Sequence, residues 1–171
     1  KLLHNIINHG ICFIAEHLSG DNPDIMVTGF TSPLLKNMNE EEIIDELRVI
    51  IKEKDKITAY FTFSSQIKPV LHQYRIYGAK NSIMVDDNNQ TCIKISGKKY
   101  KSYLDMFFPA VLYARQFTSN ALINIKLFLK NDFHMKSGMK HLIEEFYRSI
   151  SIGTPPPIPY REIVLTAQIM E

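Results

Sequence analysis

The stretch Lys56-Ile57-Thr58-Ala59-Tyr60-Phe61-Thr62-Phe63-Ser64 decides the fold. Its apolar residues Ile57, Ala59, Phe61 and Phe63 alternate with Thr58, Tyr60, Thr62 and Ser64, a period of two that sends one set to each face of a half-buried strand. Three more strand-like runs follow at 70–77, 82–86 and 91–96. The connections Gly78-Ala79-Lys80-Asn81, Asp87-Asn88-Asn89-Gln90 and Gly97-Lys98-Lys99 carry turn residues and are too short for crossover helices. The four strands are therefore expected to form one antiparallel meander.

Outward from this core the pattern turns helical. Leu3, Ile6, Ile7, Gly10, Ile14 and Leu18 recur at helical spacing before Gly20, where a C-terminal cap belongs. A short strand is expected over 24–31, closed by Ser32-Pro33. Asn39 followed by Glu42 resembles a capping box, and Ile43, Ile44, Leu47, Ile50 and Ile51 then fit one apolar helix face, so the spacing predicts a helix over 39–53. Downstream lie an irregular apolar stretch at 104–133 containing Pro109, a helix around 139–150 stopped by Gly153, an extended Thr154-Pro155-Pro156-Pro157-Ile158-Pro159 run, and a last helix from Tyr160. The order implies an α+β fold: an open, mostly antiparallel sheet with helices on one face and the other face available for oligomerisation. The chain is read as one domain, 1–171, and as a fragment of something longer.

Composition removes several function classes. With 171 residues, 45% of them hydrophobic, the chain can bury a core without disulfides or a structural metal. Cys12 and Cys92 have no CxxC or histidine partner at ligand spacing, which fits a reducing, cytoplasmic setting. Twenty basic against eighteen acidic side chains is too balanced for a dedicated nucleic-acid or polybasic membrane binder, and no apolar run is long enough to span a bilayer. Seven scattered glycines form neither GxGxxG nor a phosphate loop. Asp86, Asn88 and Gln90 mimic the start of a calcium loop, but Thr91 stands where its glycine is needed and Gly97 where its glutamate is needed. Asn89-Gln90-Thr91 is formally a glycosylation sequon and is read as a plain turn.

Four residues stand out as site candidates. Asn5 and His9 lie four apart, hence on one helix face, where an imidazole can accept a proton from a hydroxyl and an amide can orient that hydroxyl; the structural alternative is a polar helix edge. His72 and Arg75, on opposite faces of one predicted strand, can each donate to sugar hydroxyls or carboxylates, or else form ordinary cross-strand pairs. His134 and His141 are weighed as a metal pair and set aside for the Ser137-Gly138 break between them. Lys94, Lys98, Lys99, Lys101, Lys126, Lys130, Lys136 and Lys140 make a basic surface, read as solvated lysines rather than a nucleic-acid site.

Three segments, in order, resemble the C-terminal half of the glucose-fructose oxidoreductase, inositol dehydrogenase and MocA family. They are Asn5-Ile6-Ile7-Asn8-His9 leading to Leu18-Ser19-Gly20, the hairpin from Arg75 through Gly78 to Asp86, and Phe146-Tyr147-Arg148-Ser149-Ile150 continuing to Gly153-Thr154-Pro155-Pro156-Pro157. The resemblance implies the substrate-binding half of an NAD(P)-dependent oxidoreductase acting on a sugar or sugar derivative. It implies that NAD or NADP and a catalytic lysine belong to an N-terminal Rossmann domain that these residues do not include, so this fragment binds no cofactor itself. It also implies a homo-oligomer built on the open sheet face, with no nucleic-acid or membrane partner. Asn5 stands where the family has aspartate, which removes a carboxylate from beside the histidine. The alternative is a non-catalytic interaction or oligomerisation module on the same fold.

Overall fold

A computed structural model describes residues 2–101, 103–131 and 137–171, and the side chains among them other than those of 2–6 and 137. The fold is α+β, with helices and two open antiparallel sheets. Its contacts divide the chain into two compact units, Lys1–Ile67 with Leu142–Glu171, and Lys68–His141.

In the first unit, α1 (Leu2–His17), β1 (Asp24–Phe30), α2 (Pro33–Asn37), β2 (Glu46–Lys52) and β3 (Thr58–Ser64) are joined by the greater part of α4 (Ser137–Ile152) and by α5 (Tyr160–Met170). The strands pair antiparallel in the order β1-β2-β3, with Met26 opposite Ile50 and Ile50 opposite Tyr60. Because successive side chains change face, Leu47, Val49 and Ile51 point one way and meet Ile7, Ile11, Ala15 and Leu18 of α1 and Leu165 and Ile169 of α5. Ile57, Ala59, Phe61 and Phe63 pack against the same cluster, as their alternation predicts. Gly10 sits where α1 crosses β3, and a Cβ there would overlap the Phe61 ring, so the absence of a side chain lets helix and strand approach.

The expected 39–53 helix is not formed. Residues 41–42 form a turn, Asn39 has a left-handed φ of 61°, and Glu46–Lys52 is the central strand. The same apolar residues fit both periods over so short a span. The strand wins because β-branched Val49, Ile50 and Ile51 favour the pleated backbone and because β1 and β3 pair with it along its whole length. The short helix lies earlier: Ser32 caps α2, accepting from the Leu35 N–H, and Pro33 takes the first helical turn, where its missing N–H costs nothing.

The second unit holds β4 (Gln73–Tyr77), β5 (Asn81–Asp86), β6 (Thr91–Ser96) and α3 (Leu104–Leu129). Its strands pair antiparallel in the order β4-β5-β6. The expected four-strand meander is thus divided: β3 pairs with β2, and only the later three strands pair with one another. The turns behave as their residues suggest. Asp86 accepts from the Asn89 backbone N–H and side chain, and Gln90 takes a φ of 49°, so this segment is a turn held by its own aspartate. β4 begins at Gln73, three residues later than the run at 70–77 suggests.

α3 does not lie on the sheet by a wholly apolar face: its half-buried stripe mixes Pro109, Leu112, Tyr113 and Leu127 with amides, and none of its residues is fully buried. Instead Gln116 and Asn120, one helical turn apart, reach the free edge of β6. Gln116 accepts from the Lys94 N–H at 2.8 Å and donates to the Lys94 carbonyl at 3.0 Å. Asn120 does the same at Cys92, both bonds at 3.1 Å. Cys92 and Lys94 are two apart and so turn their backbone groups to the same side, away from β5. The carboxamides therefore close a strand edge that would otherwise invite further pairing.

Candidate functional site

α1 positions His9. Ile7, Ile11, Ala15 and Leu18 bury one face of the helix, and His9 lies exposed off that face. The Asn5 side chain lies outside the described residues. Between the two, Asn8 carries a buried Oδ1 with no hydrogen-bond partner among the described residues. At the far end of the helix, Ser19 donates its N–H to Glu53 Oε2 at 2.9 Å, and Arg161 of α5 donates to the Gly20 carbonyl and to Asp21 Oδ1, both at 2.6 Å. The start and end of the chain are thereby held in one unit.

His72 and Arg75 belong to the second unit. Arg75 is exposed on β4, on the face it shares with Met84 and Ile93 in the neighbouring strands. His72 precedes the strand, is exposed, and its carbonyl accepts from the Asp87 N–H. They do not converge. His141 is exposed and His134 lies outside the described residues. Among the described residues no three His, Cys, Asp or Glu side chains are placed to hold a metal ion. Both cysteines are free and exposed.

Three buried carboxylates were not foreseen from sequence. Asp45 accepts from the Ser32 N–H at 2.6 Å, the Ser65 hydroxyl at 2.6 Å and the Gln66 amide at 3.0 Å. Burial alone would raise its pKa, but the bonds from Ser65, Ser32 and Gln66 together hold it well below the usual carboxylate range. Glu53 is also lowered, chiefly by the Ser19 N–H, against burial and with help from Lys56. Glu46 is held by Arg48 and by the Ser64 hydroxyl. Asp45 and Glu53, held in the charged form by their donors, are poor proton acceptors and fasten loops to the sheet rather than move protons. The spacing places all three in the expected 39–53 helix, whereas Ser32 and Ser65 reach Asp45, Ser64 reaches Glu46 and Ser19 reaches Glu53 only once the strands pair and α1 folds onto them.

Gly10 and Gly138 are inside α1 and α4, Gly29 is inside β1, Gly78 is in the β4–β5 turn, and Gly20, Gly97 and Gly153 follow α1, β6 and α4, so no two of the glycines share one turn. No helix among the described residues is long and apolar enough to cross a membrane. Comparison with protein-family models, with curated proteins and with solved structures finds no match to this chain.

Proposed function

We propose that this chain is the substrate-facing half of an NAD(P)-dependent oxidoreductase acting on a sugar or sugar derivative, the dinucleotide being carried by a domain outside these residues. The observation that supports it is the presentation of His9: an exposed imidazole on a helix whose opposite face is fixed in the core. In this reading His9 takes the proton of the substrate hydroxyl and Asn5 orients that hydroxyl without adding charge. The test is the protein as encoded in its genome, assayed for NAD+ or NADP+ reduction with a panel of polyols and sugars. Turnover that falls by about 10²-fold or more in His9→Ala is expected; wild-type turnover in that variant, or none with any sugar, overturns the reading.

A second reading, a non-catalytic oligomerisation module, is favoured by the outer face of the first sheet, where Met26, Ile50, Tyr60 and Phe30 are all exposed. Met26, Ile50 and Tyr60 form one row across the three strands. Both readings expect a homo-oligomer, so turnover separates them: an oligomer dispersed by Tyr60→Lys in sedimentation that turns over no sugar supports the module.

A further inference from the structure

A cleft of about 400 Å³ opens in the second unit between the end of β6 and α3. Two periods build it. Every second residue from the strand onward, Lys94, Ser96, Lys98 and Tyr100, lines one wall. Pro109, Leu112, Tyr113 and Gln116, at helical spacing, line the other, with Arg115 beside them.

The walls are fixed. Gln116 grips both backbone groups of Lys94. Tyr100 is held by its N–H to Asp105 Oδ1 at 3.0 Å and by stacking on Phe108 at 5.2 Å, and the Lys98 ammonium lies 5.6 Å from the centre of the Tyr100 ring. Three cationic side chains, Lys94, Lys98 and Arg115, thus share a cleft whose lining contains no carboxylate. None of the three is in an ion pair with a described residue. The surrounding field has the same sign: the unit Lys68–His141 carries twelve Lys and Arg against four Asp and no Glu, net +8.

We infer that this cleft binds a small phosphorylated molecule, its phosphoryl dianion among Lys94, Lys98 and Arg115 and its ring moiety against Tyr100 and Tyr113. Cations gathered without counter-ions repel one another and lower that repulsion by taking a multivalent anion, and a guanidinium beside ammonium groups suits a phosphoryl group's several acceptor oxygens. The aromatic walls supply area for a sugar or base ring. A volume near the lower end of small-molecule pockets, which run from about 300 to 1,000 Å³, admits a sugar phosphate or a mononucleotide. A polynucleotide would instead be met by cations strung along an open surface with aromatics interleaved. The site uses none of the residues of the proposed oxidoreductase chemistry, so either reading can fail alone.

The test is calorimetric titration of the whole protein with glucose 6-phosphate, adenosine monophosphate, inorganic phosphate and unphosphorylated glucose. One of the two phosphomonoesters is expected to bind more tightly than inorganic phosphate, and glucose not to bind. Arg115→Gln and Lys98→Gln are each expected to weaken that binding about tenfold, whereas Lys99→Gln, outside the lining, leaves it unchanged and controls for general loss of charge. Circular dichroism of each variant excludes unfolding, and Arg115→Lys, which keeps the charge, should restore part of the loss. The inference is overturned if neither phosphomonoester binds at about 10 mM, if Lys99→Gln weakens binding as much as Arg115→Gln, or if a single-stranded oligonucleotide binds more tightly than either monoester and is indifferent to Arg115→Gln.

Discussion

In the first unit α1 meets its sheet through Ile7, Ile11, Ala15 and Leu18, all buried, whereas in the second α3 meets β6 through the carboxamides of Gln116 and Asn120 and buries no side chain. The units also differ in charge. The first has eight Lys and Arg against fourteen Asp and Glu, net −6, and the second is net +8, so the near-neutral whole conceals two opposed fields. Burial is non-directional and grips an entire helix face, while hydrogen bonds to a strand edge grip at points and leave space between helix and strand. A cleft can therefore persist beside α3 in a way that the packed α1–β2–β3 layer does not allow.

The difference is tested most strongly by truncating an apolar side chain in each unit. Ile51 has no exposed surface, and Ile51→Ala should cost about 2–5 kcal/mol in a denaturant titration. Phe117 of α3 is 45% exposed, and Phe117→Ala should cost about 1 kcal/mol or less despite the larger side chain removed. Equal losses would break the comparison and mean that α3 is held by its apolar residues after all.

The converse applies to the amides. Asn120→Ala removes two hydrogen bonds to Cys92 and frees that part of the β6 edge, with an expected loss of about 1–2 kcal/mol and a rise in self-association measurable by light scattering. Asn120→Leu should behave in the same way, because what is lost is the pairing of the backbone and not volume. A variant as stable and as monodisperse as the parent would show that the edge does not need its cover.

Acid should act first on the acidic unit. The Asp45 and Glu53 carboxyls have folded pKa values below their unfolded ones, so between the two the unfolded chain binds more protons and stability falls as pH falls. Their contribution is complete above the unfolded carboxyl range, near pH 4, and is lost progressively below it. Urea midpoints measured downward from pH 6 should therefore decline from about pH 4, and in Asp45→Asn the decline should be shallower from a lower starting stability. An unchanged slope would assign the acid sensitivity to other groups.

How far these features could be read in advance follows from which interactions are local. Ile57 to Phe63 alternate strictly with polar residues, which a period of 3.6 does not match, and Gly153, with φ of 68°, ends α4 as expected, since both are decided by residues next to one another. Residues 46–52 were misread because their apolar positions satisfy a period of 3.6 as well as one of two. The deciding fact, pairing of Asp24 with Lys52 and of Glu46 with Ser64, is non-local. The cleft was half visible. Lys94 and Lys98 stand in the basic run, but nothing in the spacing of Tyr100 or of Pro109 to Gln116 announces that this helix face lies along the β6 edge. His9 falls off the apolar face that Ile7, Gly10, Ile14 and Leu18 mark in the sequence, and it is exposed in the structure; the Asn5 side chain lies outside the described residues.

The smallest effect is expected where the first unit closes on itself. Arg161 donates Nε to Asp21 and Nη2 to the Gly20 carbonyl, with the Asp21 side chain 79% exposed and that of Arg161 36% exposed. An exposed ion pair is worth about 0–1 kcal/mol and is screened by salt, so Asp21→Ala should cost about 0.5 kcal/mol or less, and that cost should vanish in about 1 M sodium chloride. Arg161→Ala removes the Gly20 bond and the packed stem as well, and should cost about 1 kcal/mol, most of it remaining in high salt. The two variants thus divide one contact into its charge and its hydrogen bond. If salt abolishes the effect of both, the end of α1 is tied to α5 by charge alone, a contact unlike the neutral carboxamide bonds of the second unit. If only the Asp21 effect disappears, the carbonyl bond fixes the helix end and charge merely orients the guanidinium that makes it.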